Sequence, residues 1–198
     1  MQLARKRLPA AARRTQIADA ALDVIATRGV RGLTAAEVAK RVGVADATLF
    51  RHFESMQQIV AAAIARFEQR LLSTFPTQTD HPMVDLREFF LRRLALGRQQ
   101  PLVLRLIFND RLAEAAGDAE AESVRTIVER SLSFVRDCLL RAQQQGLVTR
   151  DVPVEVLLWM VTGVLRGAIL TRYSNVGADV AWHSVQLVLS PRPRESTT

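Results

Sequence analysis

Apolar positions recur at three- and four-residue spacing through nearly the whole chain, with no strand-like alternation, which predicts an all-α protein. A first helix is expected from Thr15 to Arg28. The next begins at about Ala35, because Thr34 is an N-cap type and Glu37 follows three residues later, the spacing of a capping box. Its stripe of Val38, Ala39 and Val42 stops at Gly43, a residue that tolerates the positive φ of a sharp turn. Asp46 is the candidate N-cap of the following helix, in which Leu49 and Phe53 fall four apart on one face while Ala47, Thr48 and Arg51 lie off it. Ile59, Ala63, Phe67 and Leu71 then mark a long helix reaching toward Phe75, and the segment PTQTDHP, Pro76 to Pro82, is the clearest break. Helices over 83–99, 101–114, 119–145, 154–170 and 179–189 bring the total to about nine. On the longest, Val124, Ile127, Val128, Leu132, Val135 and Leu139 form the expected buried side, and Gly146 is the candidate C-cap. No repeat or low-complexity tract interrupts the pattern.

Two short helices hinged at a glycine, the second presenting small and polar side chains on its free face, are how a chain builds a helix-turn-helix for the DNA major groove. Ala45 and Ala47 would let the start of that helix approach closely, and Thr48 would reach a phosphate or a thymine methyl. Together with the preceding helix and the sequence Thr48-Leu-Phe-Arg-His-Phe53, these features make residues 14–60 resemble the DNA-binding domain of the TetR family of bacterial transcriptional regulators. The resemblance implies phosphate contacts from the aromatic and histidine of the recognition helix, here Phe50 and His52. The candidate DNA-facing residues are therefore Thr34, Ala45, Asp46, Ala47, Thr48, Phe50, Arg51 and His52. Four positions depart from the family pattern, which removes polar contacts to DNA: Phe50 for Tyr, Ala45 for Ser, Ala47 for Gly and Met56 for Lys.

Charge points the same way. Residues 1–54 hold ten Lys or Arg against five acids, whereas the remainder holds 17 against 15, so the excess positive charge sits where it would meet double-stranded DNA. Residues 1–14 carry five basic groups, no acid and Pro9, and read as a flexible basic arm before a DNA-binding domain over 15–60 and a helical regulatory and dimerisation domain over 61–198.

The helix over 154–170 is apolar nearly all round, yet it is too short for a membrane span and contains Glu155 and Arg166. Burial in protein accounts for it better. Gly163 and Gly167, four apart, would admit a second helix closely, and the family resemblance implies a homodimer whose interface is four helices, the last two of each subunit. The resemblance also implies an effector pocket, for which the bulky groups Phe89, Phe90, Phe108, Phe134, Trp159 and Met160 are candidates, with Arg105 and Asn109 as polar anchors. Few anchors imply a mainly hydrophobic ligand with at most one acidic or carbonyl group.

Other functions find little support. His52, His81 and His183 are far apart, no cysteine cluster or glycine-rich phosphate loop occurs, and no catalytic centre, metal or cofactor is expected. The lone Cys138 reads as a core thiol, and with no signal peptide in view the expected compartment is the cytoplasm. The residues point to a ligand-responsive, DNA-binding regulator, most simply a repressor. Two other classes stay open: a helical small-molecule-binding or scaffold protein that has lost specific DNA binding, and an enzyme using a C-terminal cavity.

Overall fold

The computed structural model describes residues 9–99, 118–170 and 176–191, and the expected helix over 101–114 lies outside them. Among the described residues every regular element is helical. They are α1 (Ala10–Arg28), a short 3-10 turn (Val30–Gly32), α2 (Ala35–Val42), α3 (Asp46–Leu49), α4 (Met56–Leu72), α5 (Pro82–Gln99), α6 (Asp118–Gln144), α7 (Val154–Leu170) and α8 (Ala178–Leu189). The chain divides into two compact units, residues 1–70 with 102–124 and residues 71–101 with 125–198. The first therefore runs ten residues past the expected boundary at 60 and takes in the start of α6, where the Ser123 hydroxyl donates to Glu68 at 2.5 Å.

In the first unit, Ile17, Ala21, Leu22 and Ile25 of α1, Val38 and Ala39 of α2, Leu49, Phe53 and the α4 stripe of Ile59, Ala63 and Phe67 are all buried. α1 begins at Ala10, so residues 10–14 belong to a helix and not to the arm; the Pro9 carbonyl accepts the first helical bond from the Arg13 amide at 3.0 Å. Asp19 ties α1 to α4. Both its oxygens accept from Arg66, at 3.0 and 3.2 Å, and Arg70 adds a third bond at 2.9 Å.

The second unit packs α5, the remainder of α6, α7 and α8 around Leu86, Phe90, Leu94, Val135, Leu139, Leu157, Trp182 and Leu189. Gly146 ends α6 at φ +72°, and the two bonds around it, Gly146 amide to Gln143 carbonyl and Leu147 amide to Ala142 carbonyl, form a Schellman motif. Arg150 then caps the carbonyls of Gln143 and Gln144. Leu132, expected on the buried side, is exposed instead, while Phe134, Cys138 and Ala142 are buried. The inward stripe of α6 thus follows 127, 134/135, 138/139 and 142, and residue 132 falls outside it. No helix among the described residues is long and apolar enough to cross a membrane.

Candidate functional site

The frame of the helix-turn-helix is built by short-range rules. The Thr34 hydroxyl oxygen accepts from the Glu37 amide at 3.3 Å, capping α2 as its sequence predicts. The return bond of a capping box is not what the Glu37 carboxylate makes; it pairs with Arg28 at 2.8 Å and joins α2 to the end of α1. Gly43 adopts φ +75° and ψ +43°, and the Gly43 and Val44 amides donate to the carbonyls of Lys40 and Ala39, a second Schellman motif. This turn swings the chain into α3.

α3 is only four residues long, and its cap is Ala45, not Asp46. The Thr48 amide donates to the Ala45 carbonyl at 2.8 Å, so winding begins one residue early and Asp46 stands in the first turn, an acid at the positive end of the helix. Beyond Leu49 the chain tightens, with the His52 and Phe53 amides both donating to the Leu49 carbonyl. Leu49 and Phe53 are buried, as their spacing predicts. Ala45, Asp46, Ala47 and Arg51 are exposed, Thr48 and His52 half-buried, and the Phe50 ring is 45% exposed. Seven of the eight candidates thus gather on the turn and recognition segment, while Thr34 stands apart at the start of α2; its cap role leaves its hydroxyl hydrogen free to donate.

One contributor escaped the sequence reading. Arg14, assigned there to the arm, lies on α1 with its guanidinium 4.2 Å from the Phe53 ring centroid and donates to the His52 carbonyl. It fixes the C-terminal end of the recognition segment from 38 residues away. No local signal marks such a contact.

In the second unit a groove of about 400 Å³ is lined by Phe75, Pro76, Gln78, Arg130, Ser133, Phe134 and Asp137. Of the described effector candidates only Phe134 lines it. Phe89 packs with Phe75 and Phe134 in a three-ring cluster, centroids 5.0 to 5.4 Å apart. Phe90 is fully buried against Trp182 and is core. Trp159 and Met160, expected around a pocket, project outward from α7 at 69% and 41% exposure, because the inward stripe of that helix is Val154, Leu157, Leu158 and Val161. Arg105, Phe108 and Asn109 lie outside the described residues.

Two buried charges flank this region. Asp85 accepts from the Thr79 amide and hydroxyl and from Arg141; burial pushes its carboxyl upward, but these donors outweigh it and hold it below the usual range. The network pins the 76–82 connection. Arg93 is 7% exposed, lies 4.8 Å from the Phe89 ring centroid and 5.5 Å from that of Phe75, and donates to the Ser131 hydroxyl at 3.1 Å. Its buried Nε has no hydrogen-bond partner, and desolvation pushes its pKa down to about 10. Burial pushes the Cys138 thiol up to about 11, so it is a core thiol and not a nucleophile.

Residues 17–63, which include the whole helix-turn-helix, match the family model for bacterial regulatory proteins, tetR family. This segment is a tetR-type DNA-binding head. An HTH-type transcriptional regulator of Mycobacterium bovis is 26% identical over 162 residues, covering 79% of this chain and 80% of its own. The solved TetR-family regulator PfmR of Thermus thermophilus superimposes with a TM-score of 0.73 at 18% identity, over 91% of this chain and 97% of PfmR. AibR, solved in complex with isovaleryl coenzyme A and operator DNA, gives 0.68 at 20% identity over 90% of this chain and 100% of its own. The family model matches the head, and the likeness of fold to these solved regulators extends over the helices that follow.

Proposed function

We propose that this protein is a homodimeric transcriptional repressor of the TetR family, held on an inverted-repeat operator and released by a small, mainly apolar effector. The observation that carries DNA binding is the open end of the recognition segment. There Thr48, Phe50, Arg51 and His52 stand on a turn locked by the Gly43 motif and by Arg14. A ring 45% exposed beside a cationic side chain suits a groove wall, where its edge packs on sugar while Arg51 and His52 meet phosphate.

Dimerisation rests on the outer faces of α7 and α8. Trp159, Met160 and Val164 on one helix and Val180, Leu187 and Val188 on the other are all exposed. A Cβ built on Gly163 or Gly167 meets nothing within 4 Å. A second copy placed on the same faces would bury this apolar area and set two heads about 34–36 Å apart on successive turns of DNA.

Effector control draws support from AibR, which carries a ligand and an operator in one structure, and from the groove in the second unit. The competing reading, a helical binding protein without specific DNA recognition, is favoured by the non-polar side chains at Ala45, Ala47, Phe50 and Met56. Sequencing DNA that co-purifies with the protein, followed by gel shifts on the enriched fragments, decides between them. A regulator enriches a palindromic site and shifts it; the absence of any enriched site would sink the repressor reading.

A further inference from the structure

Arg93 is hard to explain as a structural residue alone. Its guanidinium is buried on α5, forms no ion pair with any described residue, and leaves Nε without an acceptor. A buried cation ordinarily has a counter-charge and a full set of acceptors, since removal from water costs several kcal/mol that only pairing offsets. Phe75 and Phe89 face the charge, but ring faces do not accept the in-plane N–H bonds, and the one acceptor in place is the Ser131 hydroxyl. The unfilled Nε is one of the two nitrogens on the edge of the fork that carboxylates engage bidentately.

The Arg93 guanidinium stands one ring from open space. Phe75, which packs on Arg93, is also a wall of the groove, together with Phe134 and Arg130; the Arg130 guanidinium lies 5.2 Å from the centroid of the same Phe75 ring. Phe75 is half-buried and stands in the non-helical connection between α4 and α5, so its ring can swing without unwinding a helix. The groove has the size of a small ligand and apolar walls from Phe75, Pro76 and Phe134.

We propose that Arg93 anchors the carboxylate of an organic-acid effector whose apolar body occupies the groove beside Phe75 and Phe134. The proposal rests on the effector-controlled reading above and names the chemical class of that effector. Displacement of Phe75 gives the acid access to Nε and to the second hydrogen of Nη2, beside the bond to Ser131, and a second cation, Arg130, attracts the anion to the mouth, where the one carboxylate of the lining, Asp137, is already paired with Arg141.

The test is calorimetric titration of the full-length protein with phenylbutyrate and decanoate, each against its neutral amide, and then of the variants Arg93→Met and Arg93→Lys. At least one acid should bind the unaltered protein ten or more times tighter than its amide. Arg93→Met should abolish that preference, and Arg93→Lys, with its charge but no fork, should keep a weaker one. Equal binding of acid and amide, no binding of any of the four, or acid binding unchanged in both variants overturns the proposal. Should Arg93→Met not fold, the acid-over-amide ratio of the unaltered protein and its fall in Arg93→Lys decide. Gel shifts run with the bound acid separate the two readings. An acid that binds through Arg93 yet leaves operator affinity unchanged preserves the anion site and removes effector control.

Discussion

Replacing Gly163 by Leu separates the stability of one subunit from the stability of the pair. A Cβ at this position meets no atom within 4 Å, so within one protomer the new side chain has open space. Gly163 also lies inside α7, where exchanging Gly for a good helix former contributes roughly 1 kcal/mol in favour of the helix. The isolated subunit should therefore be unchanged or slightly more stable. In a dimer built on this face the same leucine enters twice, once from each subunit, at the point of closest helix approach. Overpacking costs about 1–3 kcal/mol per side chain, hence about 2–6 kcal/mol per dimer, a rise in dimer Kd of between about thirtyfold and about twenty-thousandfold. Sedimentation equilibrium across nanomolar to micromolar concentrations measures that constant, and thermal unfolding at a concentration where both proteins are monomeric isolates the subunit. Gly167→Leu, one turn along the helix, should behave alike. A variant with raised monomer stability and an unchanged dimer constant would refute the argument, because the glycine face would then not lie between subunits.

Four further outcomes are expected. Thr48→Ala should reduce specific operator affinity by about 1–3 kcal/mol while leaving non-specific binding nearly unchanged, measured by competition gel shift. Arg14→Ala should weaken operator binding through the loosened end of the recognition segment without reducing the slope of log affinity against log salt, whereas loss of a true phosphate contact reduces it by about 0.9; a salt titration of both proteins distinguishes the two. Arg93→Met should be more stable than the unaltered protein at neutral pH, by roughly 3 kcal/mol at most. Arg93 titrates lower in the folded protein, at about 10, than in the unfolded chain, so its burden is fully present below pH 10 and fades above it, and denaturant melts should show the stability gap narrowing there. Asp85→Ala should destabilise by about 1–3 kcal/mol, since it leaves the Thr79 amide without its acceptor and removes one partner of Arg141, which keeps Asp137 and the Thr79 carbonyl. Because the Asp85 carboxyl titrates below its ordinary value, its contribution is present at neutral pH and is lost as pH falls through the folded pKa.

Much of the fold was legible along the chain because its signals act over a few residues. The Thr34 cap, the glycine turns at 43 and 146 and the bounds of α7 follow from backbone hydrogen bonds that close within five positions, and sequence spacing reports those directly. Helical periodicity also placed Leu49, Phe53 and the α4 stripe inside, since a residue's angle around its own helix is set by its number. It could not say which neighbour each stripe meets. Leu132 turned outward and Trp159 and Met160 left the interior because crossing geometry, not periodicity, decides how wide the buried stripe of a helix is. Long cationic side chains were the least legible of all. Arg14 reads as tail charge, and Arg66, Arg70 and Arg93 carry no local signal of a role, yet the first holds the His52 carbonyl, the next two clasp Asp19 and the last lies among aromatic rings. These pairings span tens of residues, and each exists only because packing brings two helices together. A flexible arginine then reaches whichever carbonyl, carboxylate or ring the tertiary structure places within its length.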